Sequence, residues 1–254
     1  MFGKIRPLIF KFDPETAHNL AIQALKINLM PRKQKFNYKN IETEVFGKKI
    51  PNPIGLAAGF DKDAEVYNSV FRLGFGFVEV GTITPLKQHG NPKPRVFRLE
   101  EDEALINRLG FNNSGADLIQ SRIRLNPPKG LFGINIGPNK DTKNRVEDYL
   151  IGIRKFYDLA DYLTINISSP NTENLRSFHN ENELNELLDA IKKEKENLKT
   201  SIPTVLKISP DINDKEIEKI SSLILKYSIP SIIISNTSDR TRDILKNINK
   251  LEKG

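Results

Sequence analysis

From about Ile41 onward, short apolar runs alternate with amphipathic stretches, and this alternation restricts the fold more than any other feature of the chain. Parallel strands buried on both faces read as nearly continuous runs of Val, Ile and Leu, while the helices that cross between them carry one apolar stripe. Strands are predicted at 54–58, 77–82, 131–136, 163–167, 204–208 and 231–235. Helices are predicted at 64–73, stopped by Gly74, and at 146–160, 183–198 and 214–227. Leu184, Leu187, Leu188 and Ile191 share one face of the third, and Ile217, Ile220 and Ile224 one face of the fourth. The stretch 88–113, rich in Pro, Arg and Asn, is longer than a connection needs and reads as a site-forming excursion. A (β/α)8 barrel needs eight such units, and six are visible before Gly254. No Gly-x-Gly-x-x-Gly opens a helix after the first strand, which argues against a dinucleotide-binding domain. An open sheet and part of a barrel both satisfy the pattern.

The first forty residues follow a different pattern. Phe2, Ile5, Leu8, Ile9 and Phe12 recur at helical spacing across Pro7. Asp13-Pro-Glu15 then marks a second helix start, with an N-cap acceptor, a proline in the first turn and an acid favoured by the helix dipole. Its stripe of Ala17, Leu20, Ala21, Ala24 and Leu25 is widened by Ile22, Ile27, Leu29 and Met30. Such a helical pair is expected either to face a membrane surface or to pack on the main domain.

Composition removes several classes of function. The net charge of +7 comes from scattered lysines without an Arg/aromatic tract, so no nucleic-acid partner is expected. With no cysteine there is no disulfide, thiolate nucleophile or cysteine-ligated metal, and His18, His89 and His179 lack metal-ligand spacing. No apolar run reaches the ~20 residues of a membrane span, and no signal-peptide pattern precedes Phe2, so an intracellular protein is expected.

Polar clusters stand at the carboxyl end of nearly every predicted strand, where barrel enzymes assemble their sites. They are Ala57-Ala-Gly-Phe-Asp-Lys62, Gly81-Thr82, Asn135-Ile-Gly137, Asn166-Ile-Ser-Ser-Pro-Asn-Thr172, Lys207 and Ser235-Asn-Thr237, with Asn107-Arg-Leu-Gly-Phe-Asn-Asn113 in the excursion. Pro170 forbids further ladder pairing, so the side chains after Ile167 are delivered to a loop. The amides and hydroxyls of that loop suit a flat polar substrate, and one hydroxyl can take a proton.

In this order, and together with Asp13-Pro-Glu15 and Glu79-Val-Gly-Thr-Ile-Thr-Pro85, these blocks resemble the dihydroorotate dehydrogenase family over nearly the whole chain. The resemblance implies a (β/α)8 TIM barrel, incomplete here at about six of eight βα units, with a small N-terminal helical extension. Residues 1–40 would form the quinone- and membrane-facing extension, and 41–254 the FMN-binding barrel domain. In the family, glycine-rich loops and a Tyr-Ser pair on the last two strands hold the flavin phosphate. These would lie beyond Gly254, so the chain is expected to be a fragment of a longer protein.

The family divides by its base, a cysteine in the soluble class and a serine in the quinone-linked class, and Ser169 stands at that position here. The implied reaction oxidises dihydroorotate to orotate with FMN and passes electrons to ubiquinone or menaquinone, the fourth step of UMP synthesis. Ser169 would take the C5 proton. Lys62, Asn107, Arg108, Leu109, Gly110, Phe111, Asn166, Asn171, Asn236 and Thr237 match substrate-binding positions. Ala58, Gly59, Phe60, Asp61, Lys62, Thr82, Asn135, Asn166, Lys207 and Ser235 match FMN-binding positions, Ser235 standing where bacterial relatives have threonine. His18 and Arg98 match the quinone tunnel, and no metal is implied. Peripheral attachment to the cytoplasmic side of a bacterial cell membrane follows from the same resemblance. Two other readings are another flavin-dependent pyrimidine-ring oxidoreductase, whose usual cysteine acid is absent here, and a non-catalytic membrane-surface binding fragment.

Overall fold

The computed structural model describes residues 2–29, 39–170 and 175–254. Helices α1 (Phe2–Ile9) and α2 (Pro14–Lys26) come first, and the Asp13 carboxylate caps α2 by accepting from the Glu15 and Thr16 amides at 3.0 Å each. A hairpin of β1 (Thr43–Val45) and β2 (Lys48–Ile50) leads into β3 (Gly55–Leu56), α3 (Tyr67–Leu73) and β4 (Phe77–Ile83). The excursion contains a second hairpin, β5 (Val96–Leu99) with β6 (Ala104–Asn107), and is followed by α4 (Ala116–Leu125). Then β7 (Leu131–Ile136), α5 (Arg145–Phe156), β8 (Tyr162–Asn166), α6 (Glu181–Asn197), β9 (Thr204–Ile208), α7 (Asp214–Lys226) and β10 (Ser231–Ile234) alternate.

Six strands pair in parallel in the order β10-β9-β8-β7-β4-β3. Each new βα unit adds its strand beside the previous one, without the reversal of direction that a doubly wound sheet requires. The fold is therefore an incomplete (β/α)8 barrel with an N-terminal helical extension.

Strand alternation divides the core. Val78, Val80, Phe132, Ile134, Leu163, Ile165 and Leu206 point outward and are buried against Val70, Ile119, Ile153, Leu187 and Ile220 of the helices. Burial of each such side chain stabilises the fold by roughly 1.5–3 kcal/mol. The inward positions at the amino ends of the strands, Leu131, Tyr162, Val205 and the partly buried Phe77, pack on Ile50 and Phe46 of the first hairpin, which plugs the barrel floor. Gly133 faces the same interior, and a Cβ there would collide with the Tyr162 ring.

Several elements differ from the sequence expectation for local reasons. The first barrel strand keeps only Gly55 and Leu56 because the next segment crosses the top of β4: Gly59 N donates to Gly81 O (2.8 Å) and Gly81 N to Asp61 O (3.1 Å). Helix α3 starts at Tyr67 rather than 64, since Ala64 has φ +50° and the Asp61 carboxylate holds the Glu65 and Val66 amides at 2.7 and 2.8 Å. The two hairpins and α4 are additional to the expected elements.

The extension is partly packed and partly open. Ile22 and Leu25 of α2 join the core, whereas Leu8 is 61% and Leu29 74% exposed. A bidentate pair fastens α2 to the barrel, with Arg95 Nη2 on Glu15 Oε1 at 2.8 Å and Arg95 Nε on Glu15 Oε2 at 3.0 Å. Among the described residues no helix is long and apolar enough to cross a membrane.

Candidate active site

Beyond the floor, the inward positions of the same strands become polar. Glu79, Thr164 and Lys207 follow the floor on their strands, and Thr82, Asn135 and Asn166 stand at the carboxyl ends; across the ladders Asn135 lies opposite Thr164 and Asn166 opposite Lys207. Asn166 is the hub at these carboxyl ends. Its Nδ2 donates to Thr82 Oγ1 at 3.0 Å and to Asn135 Oδ1 at 3.2 Å, while Thr82 Oγ1 donates to the same Asn135 oxygen at 2.7 Å. The Asn166 Oδ1 in turn accepts from Ser168 N (3.1 Å) and Ser168 Oγ (2.7 Å). Asn236 reaches over from the end of β10 to donate to Ser168 Oγ at 3.0 Å, and its own Oδ1 accepts from the Thr237 amide at 2.7 Å. From outside the barrel the Tyr149 hydroxyl donates to Asn166 O at 2.6 Å and braces the strand end. Ser169 is buried immediately after this array.

Two lysines bring positive charge. Burial holds Lys207 below the usual lysine range, and the Glu79 carboxylate opposes that shift. Lys62 is lowered by burial first and by Arg95 as well, against the pull of Glu15, Asp63 and Asp61. Its Nζ donates to Gly59 O at 2.6 Å, which fixes it over the segment that crosses β4. A cleft of about 430 Å³ opens beside it under α2, lined by Glu15, His18, Phe60, Lys62, Leu109 and Asn112 among others. The His18 ring meets Phe60 edge-on at 5.1 Å, and its pKa is lowered by burial and by Lys62.

Residues 40–254 match the family described as Dihydroorotate dehydrogenase. The chain belongs to the dihydroorotate dehydrogenase family. It is similar to the dihydroorotate dehydrogenase (quinone) of Bartonella tribocorum, 51% identical over 237 residues, which cover 92% of this chain and 66% of that protein. The corresponding protein of Parvibaculum lavamentivorans is 43% identical and is covered over 72% of its length by the whole of this chain. A crystal structure of DHODH from Eimeria tenella in complex with ferulenol superposes with a TM-score of 0.90 at 36% identity, covering 95% of this chain and 71% of that one. The chain thus spans about two thirds of the length of the relatives it matches.

Against the positions that the dihydroorotate dehydrogenase resemblance singles out, the structure draws Thr82, Asn135, Asn166 and Asn236 into one hydrogen-bonded array, with Lys207 opposite Asn166 on the neighbouring strand. Ala58, Gly59 and Phe60 lie on the segment crossing β4, next to Lys62. Asp61 turns its carboxylate to the start of α3, and burial raises its pKa. Asn107 ends β6; Gly110 has φ +72° and packs on Asn91; the Phe111 ring stands against Gly137 beside Thr82. Other side chains turn elsewhere. Arg108 donates to Glu252 Oε2 and Lys253 O, both at 2.8 Å, and Ser235 Oγ bonds its own strand-end backbone. Arg98 clasps the turn between α1 and α2, donating to Phe12 O at 2.9 Å with its guanidinium 4.4 Å above the Phe10 ring. Asn171 and Thr172 lie outside the described residues.

The described residues fit the ring of FMN, the cofactor of this family. A Cβ on Gly59 would meet open space, so a flat group has room over that backbone, while one on Gly137 would strike Thr82 and Phe111. Neutral amides and a half-buried lysine supply the donors and the charge that a flavin edge takes. Four contributors escape the sequence reading: Glu79, Thr164, Ser168 and the Arg95–Glu15 pair. Glu79 does leave a signal, since an acid in the middle of a buried run is rare unless paired.

Proposed function

We propose that the protein carrying this chain oxidises dihydroorotate to orotate with FMN and hands the electrons to a membrane quinone. The observation that carries this reading is the array from Thr82 to Asn236 at the carboxyl ends of β4, β7, β8 and β10, with Ser169 buried beside it, in a chain of this family. When bound, FMN supplies the acceptor for the hydride that leaves C6 of the substrate.

The side chains do the rest. Ser169 takes the C5 proton, and because a serine hydroxyl is a weak base near neutral pH, that proton has to pass onward through water or a neighbouring hydroxyl. Asn107, Asn166, Asn171, Asn236 and Thr237 bind the pyrimidine edge and carboxylate, so an analogue lacking those polar groups leaves buried donors unpaired and is rejected. Lys62 and Lys207 hold positive charge where the electron pair arrives.

Ubiquinone or menaquinone would enter by the cleft between α2 and Lys62, with His18 on its wall and Arg98 holding the extension in place. The exposed Ile5, Leu8, Phe12, Leu20, Ile27 and Leu29 would rest on the cytoplasmic face of the cell membrane. The reaction is tested by dihydroorotate-dependent bleaching of a quinone-analogue dye. Saturable bleaching that needs FMN is expected; none at any substrate concentration contradicts the assignment. Co-sedimentation with anionic vesicles, weakened by Leu8→Glu, tests the attachment.

A further inference from the structure

Glu79 is the least expected charge in the protein, an acid 3% exposed between Val78 and Val80 on a central strand. An unpaired carboxylate at such depth is strongly disfavoured. Here it is surrounded by donors. Its Oε1 accepts from Asn135 Nδ2 at 2.9 Å and its Oε2 from Thr164 Oγ1 at 2.8 Å. Lys207 supplies the nearby countercharge.

The direction of these bonds has consequences for the Asn135 amide. An ionised carboxylate accepts only, whereas a primary amide has a donor end and an acceptor end that can be exchanged by turning it over. With Asn135 Nδ2 drawn to Glu79, its Oδ1 is left to accept from Thr82 and Asn166. Asn166 presents Nδ2 to that side and Oδ1 to Ser168, an orientation also held by the Ser168 backbone amide, as the Thr237 amide holds that of Asn236. Replacing the carboxylate by an amide of the same shape sets a donor against Asn135 Nδ2 or Thr164 Oγ1, while Asn166 and Asn236 stay held by the Ser168 and Thr237 amides.

We propose that Glu79 is a positioning residue that fixes the Asn135 amide, drawing its Nδ2 and leaving its Oδ1 to Thr82 and Asn166, and so decides which end of that amide faces a flavin. The inference deepens the proposed reaction and rests on it for the identity of the ligands. It concerns the hydrogen-bond direction itself, which is readable without turnover.

Two measurements test it on the FMN-loaded protein without substrate. Neutron diffraction of the wild type is expected to show Asn135 Nδ2 on an unprotonated Glu79; a protonated Glu79 donating to Asn135 Oδ1 would overturn the proposal. In fluorescence titrations Glu79→Gln is expected to weaken FMN binding by ~10-fold or more and to shift the flavin absorption bands. Glu79→Asp, which remains acceptor-only, is expected to restore most of both. A folded Glu79→Gln protein with wild-type affinity and spectrum would contradict it, and the neutron result decides the matter should that variant not fold. Both readouts remain decisive even if dihydroorotate is not oxidised.

Discussion

The two ends of the barrel interior are built on the same strands and have opposite chemistry. At the amino ends, Leu131, Tyr162 and Val205 meet the β1–β2 hairpin in an apolar floor. Two residues further along β7, β8 and β9 stand Gly133, Thr164 and Lys207, and two beyond those on β7 and β8 the amides Asn135 and Asn166. Because side chains two apart share a face, one strand serves both ends without any change of backbone. The floor therefore carries stability and the rim carries specificity, and substitutions at the two levels should separate these properties.

The largest effect is expected at the floor. Leu131→Ala removes a buried side chain among Ile50, Tyr162 and Val205 and should cost ~2–5 kcal/mol of stability in urea unfolding, with FMN affinity per folded molecule unchanged. A matching loss of affinity would show that floor and rim are not separable. At the rim, Asn166→Ala strips hydrogen bonds from Thr82, Asn135 and Ser168 and should weaken FMN binding by ~10- to 100-fold, read by flavin fluorescence. Arg95→Ala should then loosen the extension, together with the His89 and Asn91 carbonyls that Arg95 also holds, at ~1–3 kcal/mol. It is expected to speed proteolysis within α2 and raise the KM for quinone while dihydroorotate binding holds.

The smallest effect is pH-dependent. Burial holds His18 and His179 below the usual imidazole range, so the unfolded chain binds their protons first. Their contribution to stability is complete above about pH 6.5 and is lost as pH falls toward the folded-state values. Asp61 and Asp148, raised by burial, act in the opposite sense: their contribution is present below the ordinary carboxylate range and lost as pH rises through the folded-state values. The His179→Gln protein should accordingly lose less thermal stability than wild type between about pH 7.5 and pH 5.5.

Much of the barrel was legible because its central strands are buried on both faces. The runs at 131–136 and 204–208 coincide with β7 and β9 residue for residue. Short elements were less legible. Gly55 and Leu56 could not be distinguished from a longer strand, since the ladder ends through backbone bonds from Gly59 and Gly81 that leave no mark in composition. Helix α4 does carry Ala116, Ile119 and Ile123 at helical spacing, but it lies between the excursion at 88–113 and the next strand and is not among the expected helices. At the site, motif resemblance supplies Asn135, Asn166 and Asn236, but not the order in which they bond. Ser168 orients Asn166 locally, whereas the bonds from Asn135 and Thr164 to Glu79 appear only once β4, β7 and β8 are brought together in the barrel.

The role of Ser169 at the rim is tested most directly by anaerobic stopped-flow mixing with dihydroorotate, following flavin bleaching in wild type and Ser169→Ala. The expected result is a bleaching rate lower by ~10²- to 10⁴-fold in the variant, with orotate binding and thermal stability close to wild type. Equal bleaching rates in the two proteins would contradict the assignment of Ser169 as the base.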